Sequence, residues 1–191
     1  ACSGFCYFLA SSCILHLSIS YDSGARKLLK TALTRQAAEH IVGVISDTHG
    51  LLRPEAIMEL AGSDLIIHAG DVGAPEILDR LRKVASVVAV RGNADRGPWA
   101  KVLPIAEAVR VAEMDLYVLH DVSELDLDPR AAGFHAVISG HSHQPRIEHR
   151  NGVLFLNPGS AGPRRFALPV SVARLHIGNG NLDAQIIKLS V

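Results

Sequence analysis

Five short segments of this sequence carry side chains suited to holding a divalent cation: Asp47-Thr48-His49, Gly70-Asp71, Gly92-Asn93-Ala94-Asp95, His120 and Gly140-His141-Ser142-His143. Carboxylate, amide and imidazole groups suit borderline cations such as Mn, Fe, Zn or Ni. Each segment alone has a plainer reading. An Asp after a strand is commonly a turn former or helix cap, Gly-Asn is a common turn pair, and His-x-His puts two imidazoles on one side of any extended segment. The coincidence of all five argues for a metal site, because each follows an apolar run and glycines stand where backbone must pass close. All three cysteines, Cys2, Cys6 and Cys13, lie within the first thirteen residues, so oxygen and imidazole must bind any metal in the body of the chain.

The elements that must position these groups are short. β-branched runs at Ile41 to Ile45, Leu65 to Ile67 and Val87 to Val90 read as strands, as do Leu116 to Leu119 and Ala136 to Ile138. Between the first three lie two helical stretches. Pro54 opens one, with Ile57, Leu60 and Ala61 on a face, and Pro75 opens the other, with Ile77, Leu78, Leu81 and Val84 repeating. Val109 and Val111 alternate with polar neighbours, Asn151-Gly152 predicts a hairpin between Ile147–Arg150 and Val153–Leu156, and a second hairpin is expected around Gly178 to Asn181. The order predicts an α/β (α+β) fold: two mixed sheets packed face to face with helices outside. Loops at the C-terminal ends of strands are where such proteins place ligand sites.

At 191 residues and 48% hydrophobic content the chain suits one domain plus an extension. Nineteen basic residues cancel nineteen acidic ones, which argues against a nucleic-acid or membrane-surface protein. Residues 1–39 read as an N-terminal extension outside the domain and 40–191 as the domain. The apolar part, Phe5 to Ile19, has its positive charges after it and is broken by serines, unlike a signal peptide or a membrane span. Ala10-Ser11-Ser12-Cys13 faintly resembles a lipoprotein cleavage site. The expected location is cytoplasmic.

The ordered motifs Asp47-x-His49, Gly70-Asp71, Gly92-Asn93-x-Asp95, His120 and Gly140-His141-x-His143 resemble those of calcineurin-like metallophosphoesterases, over roughly residues 41 to 177. Asn157-Pro158-Gly159-Ser160 is similar to the compact bacterial and archaeal phosphodiesterase branch, to which the retromer-scaffold subunit is related. The resemblance implies a four-layer α/β/β/α sandwich holding two divalent metal ions, with Mn expected and Fe, Zn, Ni or Mg as alternatives. It implies that Asp47, His49 and His143 hold one ion, that Asn93, His120 and His141 hold the other, and that Asp71 bridges them. Asp71, Asn93 and His120 are then catalytic, and a bridging hydroxide attacks phosphorus in line. The activity implied is phosphodiester hydrolysis of a small phosphate ester. The alternative is a weakly catalytic scaffold of the same fold, and a homodimer is compatible with the short edge strands.

Two departures from the wider family stand out. Where many relatives carry a His after Gly-Asn, and an Asp three residues after the bridging Asp, this chain has Ala94 and Ala74, so the pair that protonates a leaving group is missing. Where relatives usually have Gly after the fifth-strand His, it has Asp121, which would either hydrogen-bond near the metals or weaken anion binding. Arg53, Arg96, Arg164 and Arg165 are candidate phosphate clamps, Gly159 to Gly162 a candidate amide nest, and His68 a candidate support for a ligand.

Overall fold

A computed structural model describes residues 39–191; the extension expected over residues 1–39, with its cysteines, lies outside the described residues except for Glu39. The chain forms strands β1 (His40–Ile45), β2 (Leu65–His68), β3 (Ser86–Ala89), β4 (Ala106–Val111), β5 (Met114–Leu119), β6 (Ala136–Ile138), β7 (Arg146–Arg150), β8 (Val153–Asn157), β9 (Ser171–Gly178) and β10 (Asn181–Lys188), with helices α1 (Pro54–Leu60) and α2 (Pro75–Leu81). One sheet runs β10-β9-β1-β2-β3 and the other β4-β5-β6-β8-β7. Both are mixed: β1, β2 and β3 are parallel while β9 and β10 run antiparallel, and β5, β6 and β8 are parallel between antiparallel edges.

The period-two alternation of each strand divides the core into layers. Val42, Val44, Ile67, Leu116, Ile138, Leu156, Ala173 and Leu175 meet between the sheets. Residues of the opposite face, Ile45, Ile66 and Val172, pack with Ala56, Leu60, Ile77 and Leu81 of the helices. The outer face of the second sheet buries Leu119, Val137 and Val153 with Leu125, Tyr117 and Phe155. That side is covered by the segment after β5, which contains a 3-10 turn at Val122–Glu124. Because β1 is covered on both faces it reads as a continuous apolar run. Its Gly43 admits α1, since a Cβ there would stand 2.6 Å from Leu60 Cδ2. Fully burying Leu60 contributes about 1.5–3 kcal/mol.

Local details depart from the sequence reading. Ala61 is not on the buried face of α1; the helix ends at Leu60 and Ala61 is its exposed cap. Helix α2 stops at Leu81, so Val84 packs from the following turn, and β3 begins one residue early, at Ser86. Both expected hairpins form, with Asn151 and Gly152, and then Asn179 and Gly180, all at positive φ as a type I′ turn requires. A further hairpin joins β4 to β5 through Ala112, φ 50°. Among the described residues no helix is long and apolar enough to cross a membrane.

Candidate metal centre

All five predicted loops converge beyond the C-terminal ends of β1, β2, β3, β5 and β6. Asp47 is fully buried. Its Oδ2 accepts from Ser46 Oγ at 2.7 Å and from the His141 backbone N–H at 3.1 Å, which aims Oδ1 at Nε2 of His143, 3.3 Å away, and of His49, 3.9 Å away. Oδ1 has no hydrogen-bond partner. A buried carboxylate oxygen without a donor is costly unless a cation sits beside it. The two imidazoles stack at 5.3 Å with Nε2 atoms 3.4 Å apart. Burial foremost, with Arg165 and His143 adding to it, holds His49 below the usual imidazole range against Asp71 and Asp47. The neutral ring is the form that coordinates a metal.

Asp71 lies between this group and a second one. Its Oδ1 accepts from the Ala94 backbone N–H at 2.7 Å, and its Oδ2 lies 3.8 Å from His49 Nε2 and 3.4 Å from His120 Nε2. The His120 Nδ1–H donates to the Ala69 carbonyl at 2.8 Å, which fixes the tautomer and leaves Nε2 facing two acceptors, Asp71 Oδ2 and Asn93 Oδ1 at 3.0 Å. Only a proton or a metal satisfies that arrangement. Burial opposes a proton there, but Asp71 and the Ala69 carbonyl prevail and raise His120 to about 8. His141 brings Nδ1 to 3.1 Å from Asn93 Oδ1. Ligand atoms of Asp47, His49 and His143, and those of Asp47, Asp71 and His120, fall within 4.8 Å of one another in each trio.

The backbone adapts to this convergence. Asp47, His49, Asp71, His141 and His143 all have φ between 46° and 66°. Asp and His enter the left-handed region more readily than most residues, yet each such residue costs roughly 1 kcal/mol, and such strain clusters at functional sites. Cross-loop bonds hold it in place: Asp47 N–H to the Gly70 carbonyl, His49 N–H to that of Asp71, and Gly140 N–H to that of His120. Close approach needs glycine. A Cβ on Gly92 would overlap the Asp71 backbone and carboxylate, and one on Gly140 would overlap Ser46 Oγ.

Residues 41–180 match the calcineurin-like phosphoesterase superfamily domain. The chain belongs to that superfamily. It is 38% identical over 162 residues to a probable metallophosphoesterase of Methanocaldococcus jannaschii, a match covering 78% of this chain and 81% of the relative. An archaeal phosphodiesterase structure aligns at TM-score 0.64 and 22% identity, over 77% of this chain and 99% of that one. Vacuolar protein sorting 29 of Cryptosporidium parvum aligns at TM-score 0.63 and 21% identity, over 80% and 99%. The superfamily and the donor set together make this a divalent-metal site.

Further residues brace the site. Asn157 donates to the Gly140 carbonyl and Ser142 Oγ, and Ser160 Oγ donates to the Asp47 carbonyl, so the Asn-Pro-Gly-Ser motif braces two ligand loops. Asp95 accepts from Gly73 and Gly92 N–H groups and staples the second loop to the third. Asp121 Oδ1 takes the Ser123 N–H and hydroxyl, capping the 3-10 turn, while Oδ2 stands 3.5 Å from His141 Nε2. Burial opposes its charge, but the Ser123 bonds and His141 hold it below the usual carboxylate range.

Of the candidate clamps, Arg165 reaches the centre, 3.4 Å from His49 Nε2. The guanidiniums of Arg53 and Arg164 are hydrogen-bonded to the Gly162 and Val191 carbonyls. Two amides of the Gly159–Gly162 segment are taken: Gly159 N–H donates to Asn157 Oδ1 and Ala161 N–H to the Ser46 carbonyl.

His68 sits fully buried beneath the first loop. Thr48 Oγ1 donates to the Val72 carbonyl and so accepts from His68 Nε2–H at 2.9 Å. Burial, above all, lowers His68 to about 4. The folded-state value lies below the unfolded one, so this neutral His contributes its full stability above pH 6.5 and loses it as pH falls toward 4. Urea denaturation should show about 3 kcal/mol lost across that window through this group. His68→Gln, which keeps the donor to Thr48, should flatten that part of the profile.

Proposed function

We propose that the chain is a dinuclear-metal phosphodiesterase acting on a small phosphate ester. The observation that carries this reading is the placement of Asp71 Oδ2 within 3.8 Å of His49 Nε2 on one side and 3.4 Å of His120 Nε2 on the other, with the remaining donors divided around it. Asp47, His49 and His143 hold one ion, Asn93, His120 and His141 the other, and Asp71 bridges. Mn is the favoured metal on the family resemblance, and the imidazole-rich donor set also accepts Fe, Zn or Ni. When bound, a metal pair of this kind supplies a nucleophile from water near neutral pH and neutralises charge on the attacked phosphate. The chain's part is to aim the imidazoles, through the Ala69 carbonyl at His120 and the Ser46 and Asp47 network at the first loop. Arg165 offers donors to a phosphate oxygen beside His49.

A scaffold role, by analogy with vacuolar protein sorting 29, is less well supported, since every ligand position is filled with a competent donor and its backbone is held at positive φ for five of them. The reading is tested with metal-stripped protein and bis(p-nitrophenyl) phosphate. Turnover should return on adding Mn²⁺, and its failure to return with any divalent ion would favour the scaffold.

A further inference from the structure

Two cavities adjoin at Asn93. The one of about 220 Å³ includes Asn93, His120 and His141 of the metal centre, with Asp121, Glu124 and Ile105 beside them. The other, about 540 Å³, includes Arg91, Asp95, Arg96 and Lys101. Arg91, Gly92 and Asn93 line both, so the cationic recess lies next to the cavity that holds the candidate metal ligands.

The recess is built by one closed loop. The Arg91 N–H donates to the Pro104 carbonyl at 2.7 Å, and a 3-10 turn at Ala100–Val102 returns Lys101 toward Arg91. Among the described residues the side chains of Arg91, Arg96 and Lys101 make no hydrogen bond or ion pair, whereas those of Arg53, Arg130 and Arg174 are committed to carbonyls. The one acid lining the recess, Asp95, is turned to the Gly73 and Gly92 N–H groups and forms no ion pair with the three cations, so they outnumber it there. Three cations around one concavity repel one another and raise the local concentration of an anion. The acids of the nearer cavity, Asp121 and Glu124, disfavour a second anion there and leave the far recess as its place.

We propose that the substrate is a phosphodiester carrying a second, terminal phosphate, which Arg91, Arg96 and Lys101 bind while the diester lies at the metal centre. Ile105, 61% exposed on the nearer cavity, offers an apolar surface to the organic part joining the two. The assignment of the scissile group rests on the phosphodiesterase reading; the anion recess does not.

The test compares two chromogenic diesters on the Mn²⁺-loaded chain: thymidine 3′-(4-nitrophenyl phosphate) with and without a 5′-phosphate. The 5′-phosphorylated probe should be preferred at least tenfold in kcat/KM, mainly through KM, and the preference should fall below threefold in the Arg96→Ala/Lys101→Ala variant. Both positions are exposed, so the variant should fold. Equal kcat/KM for the two probes, or an undiminished preference in the variant, would overturn the proposal. If neither probe is hydrolysed, the phosphodiesterase reading fails, and titration with thymidine 5′-phosphate decides the recess: at least tenfold weaker binding by the variant supports it, and equal binding sinks it.

Discussion

If Asp71 bridges two ions as proposed, Asp71→Asn should lower kcat for diester hydrolysis by roughly 10³-fold and reduce the metal held per chain, because the amide keeps the shape of the carboxylate and loses the charge shared between the two donor sets. The residue is 4% exposed, and its Oδ1 would still accept from the Ala94 N–H, so the loop should keep its course. A second readout separates loss of charge from loss of fold. In the metal-free protein the bond to Asp71 is the largest influence holding His120 up to about 8 against burial. In the variant the His120 titration, followed by NMR, should move to lower pH. An Asn variant with parental kcat and parental metal content would contradict the bridging role.

Leaving groups should divide sharply. Ala94 turns its backbone N–H to Asp71 and offers only a methyl group, and Ala74 is the N-cap of α2 without a side-chain cap bond, so neither position supplies a proton. A positioned general acid contributes about 10²–10⁴-fold, and alkyl diesters should lack that contribution while nitrophenyl diesters do not need it. Across a series of aryl and alkyl diesters, log kcat/KM should fall steeply as leaving-group pKa rises. Ala74→Asp/Ala94→His should flatten the slope by accelerating the alkyl members. A flat dependence in the parent chain would mean that another group delivers the proton.

The strands and two of the hairpins were legible because local chemistry alone dictates them. Asn151-Gly152 and Asn179-Gly180 adopt the positive φ that their residue types favour. The Ala112 turn carries no such signal; pairing of β4 with β5 imposes φ 50° on an alanine. Helix ends were less legible, since Ala61 and Val84 continue the helical spacing while the chain has already turned.

The donor types and their places after strands were visible in the sequence, but their supports were not. The bonds from the His141 N–H to Asp47 and from Ser160 to the Asp47 carbonyl join residues 94 and 113 positions apart, and they exist only once the two sheets close. The same closure sets the left-handed backbone of five candidate ligand residues, which no local rule for Asp or His requires. It also decides among the arginines: only the packed loops reveal that Arg53 serves the Gly162 carbonyl and Arg165 the centre. Asp121, ambiguous as a sequence feature, becomes a cap whose free oxygen steadies His141.

The most direct test is a titration of metal-stripped protein with Mn²⁺ in which bound metal and bis(p-nitrophenyl) phosphate turnover are followed on the same samples. A shared Asp71 predicts two ions per chain and turnover that rises chiefly as the second is taken up. Full turnover at one equivalent, or two bound ions with no turnover, would contradict the dinuclear phosphodiesterase.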